Sequence, residues 1–118
     1  MDPLRRAVTN DDMILLLEVM QKFRVMDAEM PAQLLATFLY IAAHDGCHTG
    51  ALQEDLELTA ASSSRNTDWL SNRHRTNPAR GLNLITKELD PSNRRRHVLK
   101  LTAQGRLLVK ELSTILNG

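Results

Sequence analysis

Hydrophobic and polar positions change their period twice along this chain. The first segment opens with Thr9-Asn10-Asp11-Asp12, cap-forming side chains followed by acids at the positive end of a helix dipole. Met13, Ile14, Leu15, Leu16, Leu17, Val19, Met20, Phe23, Val25 and Met26 then crowd the next turns. They predict a helix over residues 11–27 with almost no polar face, which must be covered on more than one side. In so short a chain the cover is either a second subunit or the chain itself. Pro31 suits the first turn of a second helix, 31–45, with Leu34, Leu35, Phe38, Leu39 and Ala42 inward and Gly46 as its stop. A short helix over 50–56 pairs Leu52 with Leu56, and Glu57-Leu58 makes a tight connection. Thr59 caps a fourth helix, 60–72, expected to bury Ala61, Trp69 and Leu70. A short helix, a turn and a helix opening with small hydroxyl residues is helix-turn-helix organisation.

Beyond a polar segment, 71–80, the period falls to two. Leu82-Asn83-Leu84-Ile85-Thr86-Lys87-Glu88-Leu89 and His97-Val98-Leu99-Lys100-Leu101 flank the turn residues Asp90-Pro91-Ser92-Asn93, beside Arg94, Arg95 and Arg96. This predicts a hairpin with a cationic tip. Thr102 then caps a last helix, 102–117, expected to turn Leu107, Leu108, Leu112, Ile115 and Leu116 inward. The fold class is mainly α with a small β-hairpin (α+β): a winged helix-turn-helix, one domain over residues 1–118.

Composition narrows the reading. Apolar residues are 42% and charged residues 25% of the 118, ordinary for a globular protein. The only aromatics are Phe23, Phe38, Tyr40 and Trp69, so the core is aliphatic and stacking platforms for single-stranded nucleic acid are scarce. A single cysteine, Cys47, excludes an internal disulfide and fits a reducing cytosol. No apolar run reaches a membrane span, and Met1-Asp2-Pro3-Leu4-Arg5-Arg6 lacks an apolar signal core, so a cytoplasmic protein without membrane contact is expected. The net charge of +1 hides a division. Residues 1–70 carry five basic groups against eleven acidic, whereas residues 71–118 carry ten against three. Such a split suggests one end that faces a polyanion.

Candidate chemistry follows from that end. An arginine tip on a thin ribbon reaches a phosphate backbone or enters a minor groove, where negative potential concentrates. The alternative is a solvated hairpin whose arginines keep its edge from pairing. In the fourth helix Ser62, Ser63, Arg65 and Asn66 are expected to project outward: serines toward phosphate or base edges, Arg65 toward guanine and Asn66 toward adenine. The alternative there is an ordinary solvated helix face. Arg94 and Arg95 are the minor-groove candidates, Arg96 and Lys100 the phosphate contacts. Arg73, Arg75 and Arg80 form either a further DNA-binding loop or an exposed basic loop without a partner. His44-Asp45-Gly46-Cys47-His48 groups ligand types, yet a structural zinc site normally wants four ligands. The segment reads as a surface loop, with a metal site or a Cys47 redox switch as alternatives. No metal or cofactor is expected. Nor is catalysis: the chain has no phosphate loop, no Gly-x-Ser-x-Gly and no acid pair in an evident cleft.

From Leu82 to Gly105 the chain resembles the MarR family of transcription regulators. Their Asp-Pro-x-Asp-Arg-Arg wing tip appears as Asp90-Pro91-Ser92-Asn93-Arg94-Arg95, with the family's Leu-Thr-x-x-Gly in register at Leu101-Thr102-Ala103-Gln104-Gly105. Ser64-Arg65 with Leu70 resembles the family's recognition-helix pattern, and helix order matches over about residues 10–118. Two departures stand out. Asn93 replaces the second wing acid, leaving Asp90 to hold Arg94, and residues 71–80 form an apparent insertion. The resemblance implies a homodimer that binds double-stranded DNA, joined through helices at about 11–27 and 102–117, with about 31–101 as the DNA-binding core. It implies a transcriptional regulator, a repressor on a pseudo-palindromic operator, and leaves a small-molecule effector open. The alternative is a winged-helix protein-interaction module in a replication, partition or repressor-inactivating complex.

Overall fold

A computed structural model describes residues 9–72 and 80–118. Asn10 starts α1 (Asp11–Met26) by accepting the Met13 N–H on its side chain. Pro31 precedes α2 (Ala32–Ala43), which ends before Gly46, a glycine at φ 92 that lets the chain turn back. There β1 (Cys47–His48) enters α3 (Thr49–Asp55). Glu57, at φ 54, makes the tight connection, and the Thr59 hydroxyl caps α4 (Ala60–Leu70) on the Ser62 N–H. The hairpin is β2 (Ile85–Asp90) and β3 (Asn93–Leu101), followed by α5 (Ala103–Asn117).

The sheet is antiparallel with β3 in the middle, in the order β1-β3-β2. Cys47 faces Leu99, and Ile85 and Leu89 face Leu101 and His97. Thus the expected surface loop at 44–48 contributes a short third strand. Two residues are too few to show alternation in a sequence. Among the described residues the result is five helices with a three-stranded antiparallel sheet, α3 and α4 forming the helix-turn-helix and β2–β3 the wing.

The core lies where α2, α4, the sheet and α5 meet, around Leu34, Phe38, Ile41, Leu52, Leu70, Ile85 and Leu99, all essentially inaccessible. Phe23 is the one buried residue of α1, its ring set edge-on to Phe38 at 5.8 Å. The Leu-Thr-x-x-Gly sequence has a clear job here. The Thr102 N–H donates to the Leu84 carbonyl, its hydroxyl donates to the Asn83 carbonyl, and the same oxygen accepts the Gly105 N–H. A Cβ at Gly105 would run into the Leu84 carbonyl oxygen.

Several inward assignments are corrected. Ala61 and Leu39 are exposed and Trp69 is half-buried. On α5 only Leu108 and Leu112 of the five expected side chains are buried; Ile115 is half-buried and Leu107 and Leu116 face outward. The apolar stripe of α5 is wider than the surface its own chain offers.

Candidate nucleic-acid interface

Helix α4 has two polar faces, and only packing separates them. Ser63, Asn66, Thr67 and Leu70, spaced i, i+3, i+4 and i+7, form its buried side. Asn66 Nδ2 donates to Gln33 Oε1 at 2.8 Å and reaches Thr37 Oγ1 at 3.5 Å, and the Thr67 hydroxyl donates to the Ser63 carbonyl. Ser63 is 1% and Asn66 4% exposed, so neither is available to a base. The expectation that they contact DNA is corrected: both pack α4 against its own chain. The exposed side carries Ala61 and Arg65, with Ser62 and Ser64 half-exposed; Arg65 Nη2 sits 3.4 Å from Ser62 Oγ. Counting back from Leu70, the one large aliphatic residue of the helix, by three, four and seven would have found the buried face.

Two sets of bonds hold α4 in place. Lys87 Nζ on β2 pairs with Asp68 at 3.0 Å, with side chains only 7% and 16% exposed. The N–H groups of Leu82, Asn83 and Leu84 donate to the carbonyls of Trp69, Ser71 and Leu70, satisfying acceptors that a helix end leaves open. Residues 82–84 therefore return to the same end of α4 that the chain leaves at Ser71. Of the arginines between them, Arg73 and Arg75 lie outside the described residues. Arg80 does not stand as a free basic group. Its Nη2 donates to Asp27 Oδ2 at 2.6 Å, and its guanidinium lies 4.8 Å from the centroid of the Trp69 ring. A carboxylate and an indole face thus lie within reach of a side chain that remains 42% exposed.

At the wing the register shifts between Leu89 and Asp90, and Asp90 is buried beneath the turn. Its Oδ1 accepts the Ser92 N–H at 2.9 Å and the Ser92 hydroxyl at 2.8 Å. Its Oδ2 accepts Arg96 Nε at 2.7 Å, with His48 Nδ1 3.7 Å away. The Ser92 backbone N–H, reinforced by Arg96 and the Ser92 hydroxyl, holds this carboxyl well below the usual carboxylate range. Asp90 thus holds Arg96, not Arg94 as expected. Asn93 does bond the turn backbone, accepting the Arg95 N–H on Oδ1. Arg94, Arg95 and Lys100 are exposed and Arg96 half-exposed. Among the described residues no carboxylate lies within ion-pair distance of Arg65, Arg94, Arg95 or Lys100.

In the neighbouring loop the His44 ring tilts against Tyr40, whose hydroxyl donates to Asp55 at 2.6 Å. That bond, with burial, pushes the tyrosine up to about 12. Burial also pushes the Cys47 thiol up, which disfavours the reactive thiolate. Among the described residues no three His, Cys, Asp or Glu side chains converge as a metal site would require.

No protein-family model and no curated protein sequence matches the chain. Solved structures do. MarR aligns with 86% of this chain and 72% of its own, at TM-score 0.59 and 20% identity. The PcaV transcriptional regulator of Streptomyces coelicolor aligns at TM-score 0.59 and 19% identity, covering 92% of this chain and 76% of its own. MepR of S. aureus, solved as a DNA complex, reaches TM-score 0.66 at 20% identity over 97% of this chain and 82% of its own. The chain has the winged-helix fold of these MarR-type regulators.

Proposed function

We propose that the chain is a MarR-type transcription regulator: a homodimer that binds double-stranded DNA sequence-specifically and represses by covering a promoter. The observation that carries this reading is the set of exposed, unpaired cations on the two elements that such a fold lays against DNA. Arg65 stands on the outer side of α4, and Arg94, Arg95 and Lys100 stand on the wing. A guanidinium on a recognition helix matches the two acceptors of a guanine edge. Ser62 and Ser64 beside it suit phosphate oxygens, which set register without reading sequence. Arg94 and Arg95 enter the flanking minor groove, Lys100 meets phosphate, and Arg96, braced by Asp90, stiffens the base of the tip.

A second subunit is supported by the apolar surface of the terminal helices. Met13, Leu16, Leu17 and Val25 on α1 and Leu107 and Leu116 on α5 are all exposed. Two-fold pairing of these helices presents two copies of α4 to half-sites about one helical turn apart, roughly 34–36 Å, hence a pseudo-palindromic operator.

Selection of duplexes from a random pool, followed by titration, tests the reading. The wild type should enrich a two-fold symmetric site. Replacing Arg94 and Arg95 together with alanine should weaken binding to that site at least about tenfold, most where the flank is A·T-rich. A pool without a consensus removes sequence specificity, and unchanged affinity in the double mutant reduces the wing to a structural hairpin.

A further inference from the structure

Arg80 lies just before residues 82–84, which return to the end of α4, and its side chain bridges two helices. On one side it meets Asp27, the C-cap residue of α1. The Asp27 N–H donates to the Phe23 carbonyl, its own carbonyl accepts the Met30 N–H, and Oδ1 accepts the Glu29 N–H, so this acid is fixed to the helix end. On the other side Arg80 lies over Trp69, in the last turn of α4. A planar guanidinium can donate to a carboxylate and cover an indole at once; a lysine ammonium cannot do both as well. Along its length α1 packs on α5, with Lys22 paired to Glu111 at 3.5 Å and Val19 partly buried against the core, and Arg80 adds a tie from its C-terminal end to α4.

We propose that Arg80 is a positioning residue that fixes the angle between α1 and α4, and through it the separation of the two recognition helices in the dimer. This inference rests on the DNA-binding homodimer read above. If α1 carries the two-fold axis, the path from α1 to α4 sets where each recognition helix meets the duplex. Half-sites moved by one base pair shift by about 3.4 Å and rotate around the axis. A slack joint would leave each helix reading the same bases while tolerating wrong spacings.

The test uses duplexes carrying the selected half-sites at the selected spacing and at one base pair more or fewer. Wild type is compared with Arg80→Ala, Arg80→Lys and Asp27→Asn, the last of which keeps an oxygen for the Glu29 N–H. Arg80→Ala and Asp27→Asn should each reduce the preference for the correct spacing at least about fivefold. Binding to a single half-site and the salt slope should stay unchanged. Arg80→Lys should behave like Arg80→Ala, because charge without the planar stack does not hold the joint. Trp69, the single tryptophan, should change its emission in Arg80→Ala before any DNA is added. Thermal melts establish which variants fold, and Asp27→Asn carries the test if Arg80→Ala does not. Unchanged spacing preference in the folded variants overturns the proposal and leaves the DNA-binding reading intact. Equal loss on every duplex, a salt slope lower by about one unit and rescue by lysine would make Arg80 a phosphate contact instead. A wild type with no preference for paired half-sites removes both.

Discussion

The Asp90 carboxylate gathers the Ser92 N–H and hydroxyl on one oxygen and Arg96 on the other, and each favours its ionised form. Because folding lowers its pKa, its contribution to stability is complete above the free-aspartate value of about 4. That contribution drains away as pH falls below 4 toward the depressed folded value. A carbon-detected NMR titration should therefore find Asp90 still ionised near pH 3, where a free aspartate is mostly protonated. Titration near pH 4 would contradict the bracing of the wing. Gly105 makes a second residue-level claim. Its α-carbon faces the Leu84 carbonyl with no room for a methyl group, so Gly105→Ala should cost about 1–3 kcal/mol in chemical denaturation. A neutral substitution would mean that α5 does not approach the sheet as described. The sequence showed the turn and the role of Asn93 in it. It did not show which arginine Asp90 holds, because that depends on a register shift between Leu89 and Asp90 that no residue type announces.

Among the elements, α4 shows where pattern runs out. Its sequence, Ala-Ala-Ser-Ser-Ser-Arg-Asn-Thr-Asp-Trp-Leu, has no apolar stripe, so small polar residues occupy both sides and the sequence alone barely orients it. Packing decides: Asn66 turns toward Gln33 and Thr37, and Arg65 turns toward solvent. The two neighbours should behave in opposite ways. Asn66→Ala removes a buried amide that donates to Gln33 and should cost roughly 0.5–1.5 kcal/mol of stability with base preference unchanged. Arg65→Ala should leave stability nearly untouched and cost roughly 1–3 kcal/mol on the preferred site, with relaxed choice at one base pair. Paired denaturation and binding curves separate them, and altered base preference in Asn66→Ala would put that side chain back on the DNA. Helix α5 was legible as amphipathic, yet periodicity alone does not say whether Leu107 and Leu116 meet their own core or another chain. The hairpin was legible because alternation and Asp-Pro turn chemistry agree over many residues, while β1 was too short to alternate.

At the scale of the whole molecule, the charge division and the exposed apolar helix distinguish two ends. The positive half holds the wing, and the negative half holds α1 with its uncovered Met13, Leu16, Leu17 and Val25. Light scattering at micromolar concentration should report a dimer. Leu17→Glu, at a side chain that is 58% exposed, should give a folded monomer. A wild-type monomer would remove the two-fold operator. The central claim, that this winged helix reads duplex sequence, is tested most directly by anisotropy titrations at physiological salt on the selected duplex and on a scrambled duplex of equal length. The account predicts at least about a thousandfold preference for the selected duplex, with binding to both weakening steeply as salt rises. Equal affinity for the two duplexes would contradict it.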